Sequence, residues 1–217
     1  MKIFIDFDDA IFNTKKFKHD FIAIFGRYGI NQDEFQDSYY TYSNKSQIQG
    51  RHYDFKMQVK TLQKSKGIDG KKLKADVEKF MQKLNAYLLP DVKTFLQEFP
   101  KKDLFILSYG EPKFQKAKIR GAGIDRLVNR VFITKRKKVD VILELNRKYA
   151  YSKKEAIILI DDHPDQFEIK GKARERITTF HLSRKEGRYH DLPCEERDYA
   201  VKNLGAVVRI IKKEKMQ

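Results

Sequence analysis

Two groups of aspartates follow short apolar segments of the chain. The groups consist of Asp6, Asp8 and Asp9, and of Asp161, Asp162 and Asp165. Carboxylates crowded at the end of a strand repel one another, so such groups usually need a bound cation or a proton. Two acidic strand ends in one chain therefore predict one shared metal site. An all-oxygen site favours Mg²⁺ over Zn²⁺. The sulfur and nitrogen ligands that Zn²⁺ commonly uses are scarce, because the chain has one cysteine and five histidines.

Asp6 and Asp8 can do different work although they are identical side chains two residues apart. One carboxylate can bind a cation through one oxygen and attack an electrophile through the other, while its neighbour transfers a proton. The cation would reduce the repulsion between an anionic nucleophile and a phosphate. The spacing is therefore suited to phosphoryl chemistry.

Alternating apolar and amphipathic segments predict the elements that position these aspartates. Strands are predicted at 2–5, 103–108, 131–133, 156–160 and 177–182. Helices are predicted at 17–28, 73–88, 111–120, 139–149 and 195–213, with a short helix at 165–172 and a weaker helical pattern over 31–67. This order predicts an α/β fold, a three-layer Rossmann-like parallel sheet with crossover helices on both faces. Such sheets bind ligands at the carboxyl ends of their strands, where both aspartate groups fall.

The composition predicts a folded, soluble protein of the cytoplasm. The 217 residues suffice for one core domain, or for a core with a smaller inserted domain. An apolar fraction of 41%, with 16 Phe and 11 Tyr, argues against disorder. The longest aliphatic run, 156–160, is far shorter than the ~20 residues that span a bilayer, so no membrane partner is expected. A single cysteine cannot form an internal disulfide, which favours a reducing compartment.

The net charge of +16 leaves the class of partner open. An excess of this size is compatible with an anionic partner such as nucleic acid, because basic side chains release counterions when they bind phosphates. A lysine-rich solvated surface explains the charge as well, and it is the preferred interpretation. No nucleic-acid-binding motif accompanies the basic residues.

The segment around Asp6 and Asp8 resembles the first motif of the haloacid dehalogenase-like (HAD) phosphohydrolases. That motif is an apolar strand ending in Asp-x-Asp-x-Thr/Val, and Ala10 stands here at its last position. The resemblance implies that Asp6 is the nucleophile that forms an aspartyl-phosphate. It implies that Asp8 is the general acid that protonates the leaving group and then activates water. The alanine removes a supporting hydrogen bond but neither key carboxylate.

Two further motifs of the family supply a hydroxyl and a lysine. Ser108 stands at the end of the next core strand, where the resemblance implies that its hydroxyl binds the transferring phosphoryl group. The family lysine lies near the start of the helix before the last acidic strand, and Lys135, Lys137 and Lys138 are all in range. Lys138 opens the predicted helix most naturally, and Lys135 is the second choice.

The fourth motif is an acidic pair after the last apolar strand, which the second aspartate group resembles. The resemblance implies that Asp162 binds Mg²⁺ directly or through water, and that Asp161 and Asp165 support it. The full set of expected metal ligands is Asp6, Asp8, Asp161, Asp162 and Asp165. His163 lies within this group, but a structural or solvated role is preferred for it over that of a base.

The resemblance also implies a division into two domains. Residues 1–13 and 90–217 would form the catalytic core, and 14–89 would form an α-helical cap of the first type, inserted after the first strand. Caps close over the site, exclude water and select the substrate. The tyrosine-rich segment 39–53 could contact a ligand, although packing within the cap is the preferred interpretation.

The expected function is Mg²⁺-dependent hydrolysis of a small phosphorylated metabolite through the aspartyl-phosphate. Asp8 argues against dehalogenation, because the family's dehalogenases lack the second aspartate. Phosphomutase and phosphonatase activities stay open. An alternative of a different class is a non-catalytic or regulatory protein of this fold that binds nucleic acid or an acidic partner through its basic surface. Neither the natural substrate nor the oligomeric state is encoded in a recognisable pattern.

Overall fold

A computed structural model describes residues 1–44, 53–149, 155–169, 171 and 174–214, without the side chains of 40–44. The chain divides into two compact units. The sheet unit comprises Met1–Lys15, Leu88–Tyr109 and Ile124–Gln217, and the helical unit comprises Lys16–Tyr87 and Gly110–Gly123. The predicted boundaries put 110–123 in the core domain, whereas these residues pack with the helical unit. The role of the helical unit as a cap stays a prediction.

The described part of the sheet unit contains six strands that pair in parallel. They are β1 (Lys2–Ile5), β2 (Leu104–Tyr109), β3 (Arg130–Thr134), β4 (Ile157–Asp161), β5 (Ile177–Leu182) and β6 (Tyr199–Val201). Their order in the sheet is β3-β2-β1-β4-β5-β6. All but β3 and the short edge strand β6 are mostly buried, as expected when helices cover both faces of a parallel sheet. The predicted α/β, Rossmann-like parallel fold is confirmed.

The register of the central strands determines which side chains meet at the carboxyl edge. Ile5 of β1 pairs with Ile106 of β2 on one side and with Ile160 of β4 on the other. The backbone N–H of Asp6 donates to the carbonyl of Ile160 at 2.9 Å. Asp6 therefore leaves the sheet beside Asp161, although 155 positions separate them in sequence.

Within the described residues, three α-helices belong to the sheet unit: α5 (Val92–Gln97), α7 (Lys138–Lys148) and α8 (Leu204–Glu214). Helix α7 buries Val139, Ile142 and Leu145 in a core cluster with Phe4 and Leu159 of the central strands. These positions recur at i, i+3 and i+6, so one face of the helix is apolar. The packing of this face against the central strands places the first residue of α7 at the sheet edge.

The helical unit contains α1 (Thr14–Gly26) beyond its first two residues, α2 (Gln32–Asn44), α3 (Phe55–Lys66), α4 (Gly70–Met81) and α6 (Pro112–Gly121). Phe114 of α6 lies 6.3 Å from Phe17 and 6.0 Å from Phe21 between ring centroids. A Cβ on Gly121 would stand 2.0 Å from the carbonyl oxygen of Met81, so only glycine allows this close packing. These contacts explain why α6 belongs to this unit.

Tyrosines at the two ends of the segment 39–53 pack within the helical unit, while residues 45–52 lie outside the described residues. The rings of Tyr39 and Tyr53 are 4.3 Å apart, and the Tyr53 hydroxyl donates to Gln58 Oε1 at 2.6 Å. These two contacts agree with packing rather than ligand binding. None of the helices in the described part of the chain is long and apolar enough to cross a membrane.

Three predicted helices differ from the observed elements. Helix α4 ends at Met81, because the Leu84 N–H donates to the Gly121 carbonyl instead of continuing the helix. The short helix predicted at 165–172 begins as a 3-10 turn over Pro164–Gln166, and its positions 170 and 172 lie outside the described residues. The predicted terminal helix is strand β6 followed by α8, since three alternating residues are too few to show a strand period.

Candidate active site

Three aspartates meet at the carboxyl edge of β1 and β4. A carboxylate oxygen from each of Asp6, Asp161 and Asp162 lies within 4.8 Å of the others. The residues are 5%, 0% and 5% exposed, respectively. We call Asp6, Asp161 and Asp162 the acidic cluster. The structure thus brings these members of the two aspartate groups together, and their role as metal ligands stays a prediction.

Lys138, the first residue of α7, contacts the acidic cluster. Its Nζ donates to Asp6 Oδ1 and, at 2.5 Å, to Asp161 Oδ2, and the residue is 1% exposed. Lys137 instead forms a surface ion pair with Glu168. Lys135 is half-buried and is not brought to the cluster. The structure thus favours Lys138, the first choice of the three candidates.

The charges of the acidic cluster do not balance within the chain. Three carboxylates face one ammonium group, so two negative charges remain if all are ionised. Burial raises the pKa of Asp6 to about 7, with Asp161 adding to the rise and Lys138 opposing it. Burial, Asp6 and Asp161 also raise the pKa of Asp162 well above its usual value. Burial alone would lower the pKa of Lys138, but Asp161 and Asp6 raise it above its usual value.

The donor set of the acidic cluster fits a divalent cation. Asp162 Oδ2 is buried and makes no hydrogen bond to any described residue. A buried carboxylate oxygen without a partner is costly, and a bound cation would remove that cost. The set is all oxygen and has an excess of two negative charges when its three carboxyls are ionised, which suits Mg²⁺.

Asp8 lies near the acidic cluster but outside the group of mutually close oxygens. Thr14, at the start of α1, donates its hydroxyl to Asp8 Oδ1 at 3.0 Å. Asp8 is half-buried, and its charge contributes to the raised pKa of Asp6. This is a suitable environment for a proton-transfer group, because one oxygen is oriented and the side chain is still accessible.

Ser108 occupies the predicted position near the carboxyl end of β2. It is fully buried, and its Oγ has no hydrogen-bond partner among the described residues. Buried hydroxyls are usually hydrogen-bonded, so an unpartnered one needs an explanation. A bound phosphoryl oxygen would supply the missing partner.

Asp165 is not brought to the acidic cluster, contrary to its predicted role as a metal ligand. It lies in the 3-10 turn Pro164–Gln166, and its side chain is 75% exposed. The turn forms because His163 Nδ1 accepts from the Asp165 N–H at 3.2 Å. His163 also donates its backbone N–H to Asp161 Oδ1 at 3.0 Å, which agrees with the structural role preferred for it.

Two arginines after β5 hold the turn that follows β1, and the sequence motifs did not reveal them. Arg184 donates from Nε to the Ala10 carbonyl at 2.9 Å and from Nη2 to both oxygens of Asp91 at 2.8 and 3.0 Å. Arg188 donates from Nε to Asp9 Oδ2. These contacts hold the turn from a distant segment of the chain. In the family motif a threonine at the position of Ala10 would supply a supporting hydrogen bond. The one available signal was a basic segment directly after a strand.

Comparisons with known proteins give matches among solved structures. No family model and no curated protein matches the chain. A haloacid dehalogenase-like hydrolase from Burkholderia xenovorans superposes with a TM-score of 0.69 at 19% identity, over 95% of this chain and 96% of that one. The L-2-haloacid dehalogenase from Xanthobacter autotrophicus gives a TM-score of 0.59 at 18% identity, over 97% and 98%. The HAD-hydrolase YfnB from Bacillus subtilis, bound to magnesium, gives 0.57 at 14% identity, over 97% of each chain.

These likenesses extend over nearly the whole length of each chain. At identities below a fifth they concern the architecture and not the chemistry. The chain therefore has the haloacid dehalogenase-like fold, as its motifs predicted.

Proposed function

We propose that the protein hydrolyses phosphomonoesters of small metabolites through a covalent intermediate on Asp6, with Mg²⁺ as cofactor. The main support is the Lys138 ammonium group, which contacts Asp6 and Asp161 inside a buried cluster with excess negative charge. A fixed cation opposes the pKa rise that burial imposes on Asp6, so it favours the ionised form that attacks.

The positions of Asp6 and Asp8 support a two-step reaction. An Asp6 oxygen attacks the phosphorus, the bond to the leaving oxygen breaks, and Asp8 gives that oxygen its proton. Asp8 then takes a proton from water, whose oxygen attacks the phosphorus and releases inorganic phosphate from Asp6. The hydrogen bond from Thr14 orients Asp8 for both transfers. The Ser108 hydroxyl donates to a phosphoryl oxygen.

Asp6, Asp161 and Asp162 would hold the Mg²⁺. When bound, the ion offsets the negative charge of these carboxylates and of the phosphoryl group. The buried, unpartnered Asp162 Oδ2 supports this assignment.

Dehalogenation is the second candidate, because haloacid dehalogenases are among the structures of the same fold. It would use the same nucleophile, with attack on carbon in place of phosphorus. A departing halide needs no proton, however, whereas an alkoxide does. Asp8 could activate water in either reaction, but its role as a proton donor is needed only in the phosphatase reaction, which we therefore prefer.

Turnover of p-nitrophenyl phosphate tests the proposal. We expect activity with Mg²⁺ that is lost in EDTA and lost in Asp6→Asn. Asp33→Asn is the matched control, because it makes the same change in an exposed carboxylate of α2. Chloride release from 2-chloropropionate is measured in parallel.

Three results would contradict the proposal. Activity of Asp6→Asn at the parent level would exclude the nucleophile. Chloride release without phosphatase activity would favour dehalogenation. Absence of both activities, with salt-sensitive binding of generic duplex DNA, would favour the non-catalytic alternative.

A further inference from the structure

Arg188 is anchored on one side and accessible on the other. Its Nε donates to Asp9 Oδ2, and the Asp9 side chain is 1% exposed. The Arg188 side chain is 47% exposed. A guanidinium has five N–H donors, and Arg188 uses only the Nε donor in hydrogen bonds to described residues. Its two terminal nitrogens are available to bind an anion.

The neighbouring Arg184 shows what a purely structural arginine looks like in the same segment. Arg184 is 6% exposed, and its Nη2 bonds both oxygens of Asp91. Arg188 reaches only one oxygen of its carboxylate, and the other, Asp9 Oδ1, is buried without a hydrogen-bond partner among the described residues. If the only role of Arg188 were to neutralise Asp9, a contact with both Asp9 oxygens, like that of Arg184 with Asp91, would be favoured.

Arg188 lies close to the proposed proton donor. Asp9 follows Asp8 directly, and its left-handed backbone, with φ at 61°, turns the chain sharply at that point. Burial alone would lower the pKa of Arg188, but the charges of Asp9 and then Asp8 raise it. Asp8 is the proposed proton donor to the leaving oxygen, so Arg188 stands near the place where we expect the leaving group to bind.

Two rings continue from Arg188 toward the loop after β4. The guanidinium carbon lies 5.2 Å from the Tyr189 ring centroid, and that ring is edge-on to His163 at 4.3 Å. His163 donates its backbone N–H to Asp161 of the acidic cluster. Arg188, Tyr189 and His163 thus form a continuous series of contacts from the Asp9 turn to the loop after β4.

We infer that Arg188 binds an anionic group on the leaving-group side of the substrate. The substrate class is then phosphomonoesters whose alcohol portion carries a carboxylate or a second phosphate. This inference rests on the proposed phosphatase function.

Three phosphate esters with related leaving groups test the inference. Phenyl phosphate has no second anion, 4-carboxyphenyl phosphate adds a carboxylate, and 1,4-phenylene bisphosphate adds a phosphate. The readout is the ratio of kcat/KM for each anionic ester to kcat/KM for phenyl phosphate, compared between variants so that intrinsic reactivity cancels. The variants are Arg188→Gln, Arg188→Lys and, as control, Lys185→Gln, an exposed cation of the same segment.

We expect Arg188→Gln to lower at least one ratio by about tenfold or more, mainly through KM, as for loss of a charged hydrogen bond. Arg188→Lys keeps the charge beside Asp9 and should retain part of the ratio, while Lys185→Gln should retain all of it. The ester whose ratio falls further identifies the anion as carboxylate or phosphate.

Three outcomes would overturn the inference. If Arg188→Gln and Arg188→Lys lower kcat/KM for all three esters by one common factor, Arg188 only stabilises the Asp9 turn. If the parent enzyme turns over the esters and its ratios equal those of Arg188→Gln, no anion is bound there, although the phosphatase function stands. No turnover of any ester would refute both.

Discussion

Replacing Lys138 by methionine tests whether the acidic cluster depends on its buried ammonium group. Methionine preserves most of the aliphatic volume but leaves Asp6 and Asp161 without their shared donor. Removing one partner of a buried ion pair costs about 3–5 kcal/mol, because uncompensated charge stays buried. We expect a loss near 3 kcal/mol at pH 8 in EDTA, since the carboxyl groups partly relieve the charge by taking up protons. Urea unfolding of both proteins measures it.

Lys137→Met is the matched control, because the adjacent lysine is also ion-paired but at the surface. Exposed ion pairs contribute little to stability, so this variant should unfold close to the parent. The Lys138→Met loss should also shrink toward pH 5, where protonated carboxyls need no counter-charge. Equal unfolding free energies for the two variants at pH 8 would refute the assignment of Lys138 to the cluster.

Three further predictions concern the same edge of the sheet. The pKa of Asp6 is raised to about 7, so its ionisation costs stability, with no cost below about pH 4 and the full cost above pH 7. Asp6→Asn should therefore gain roughly 4 kcal/mol over the parent between pH 4 and pH 8 in EDTA, at about 1.4 kcal/mol per pKa unit. Asp33→Asn should show no such trend, and a gain independent of pH would contradict the raised pKa. Asp162→Asn should abolish the Mg²⁺-dependent rise in Tm and Asp165→Asn should keep it; the reverse pattern would return Asp165 to the ligand set. Ser108→Ala should change stability by less than about 1 kcal/mol, because no hydrogen bond is lost, yet lower kcat by about tenfold or more; unchanged kcat would exclude phosphoryl binding.

The fold was largely predictable because most of its strands are long enough to be recognised from their sequence pattern. Strands β2 and β4 were predicted within one residue of their observed bounds, since continuous apolar runs between turns are typical of buried parallel strands. Strand β5 was also predicted at its observed bounds, although its sequence is only partly apolar. Strand β6 was missed, because it has three residues and pairs with β5 alone. Helix α6 was assigned to the core domain, because only its contacts with Met81 and the phenylalanines show where it packs.

The candidate site was predictable where residue type and strand position together restrict the choice. Carboxylates directly after β1 and β4 had to converge, since the ends of adjacent parallel strands share one edge. The same reasoning could not separate Asp162 from Asp165, because a local turn decides which carboxylate stays buried.

The sequence by itself determined the type of sheet, the acidic edge and the kind of chemistry available there, because these follow from local patterns and strand order. Only the tertiary structure decided which lysine and arginine side chains contact that edge. Local sequence ranked Lys138 above Lys135 and Lys137 only by its place at the start of a predicted helix, and its contact with Asp6, 132 positions away, depends on the packing of α7. Arg184 and Arg188 reach the turn after β1 from 174 and 179 positions along the chain. Such pairings depend on the packing of distant segments, which no local pattern records.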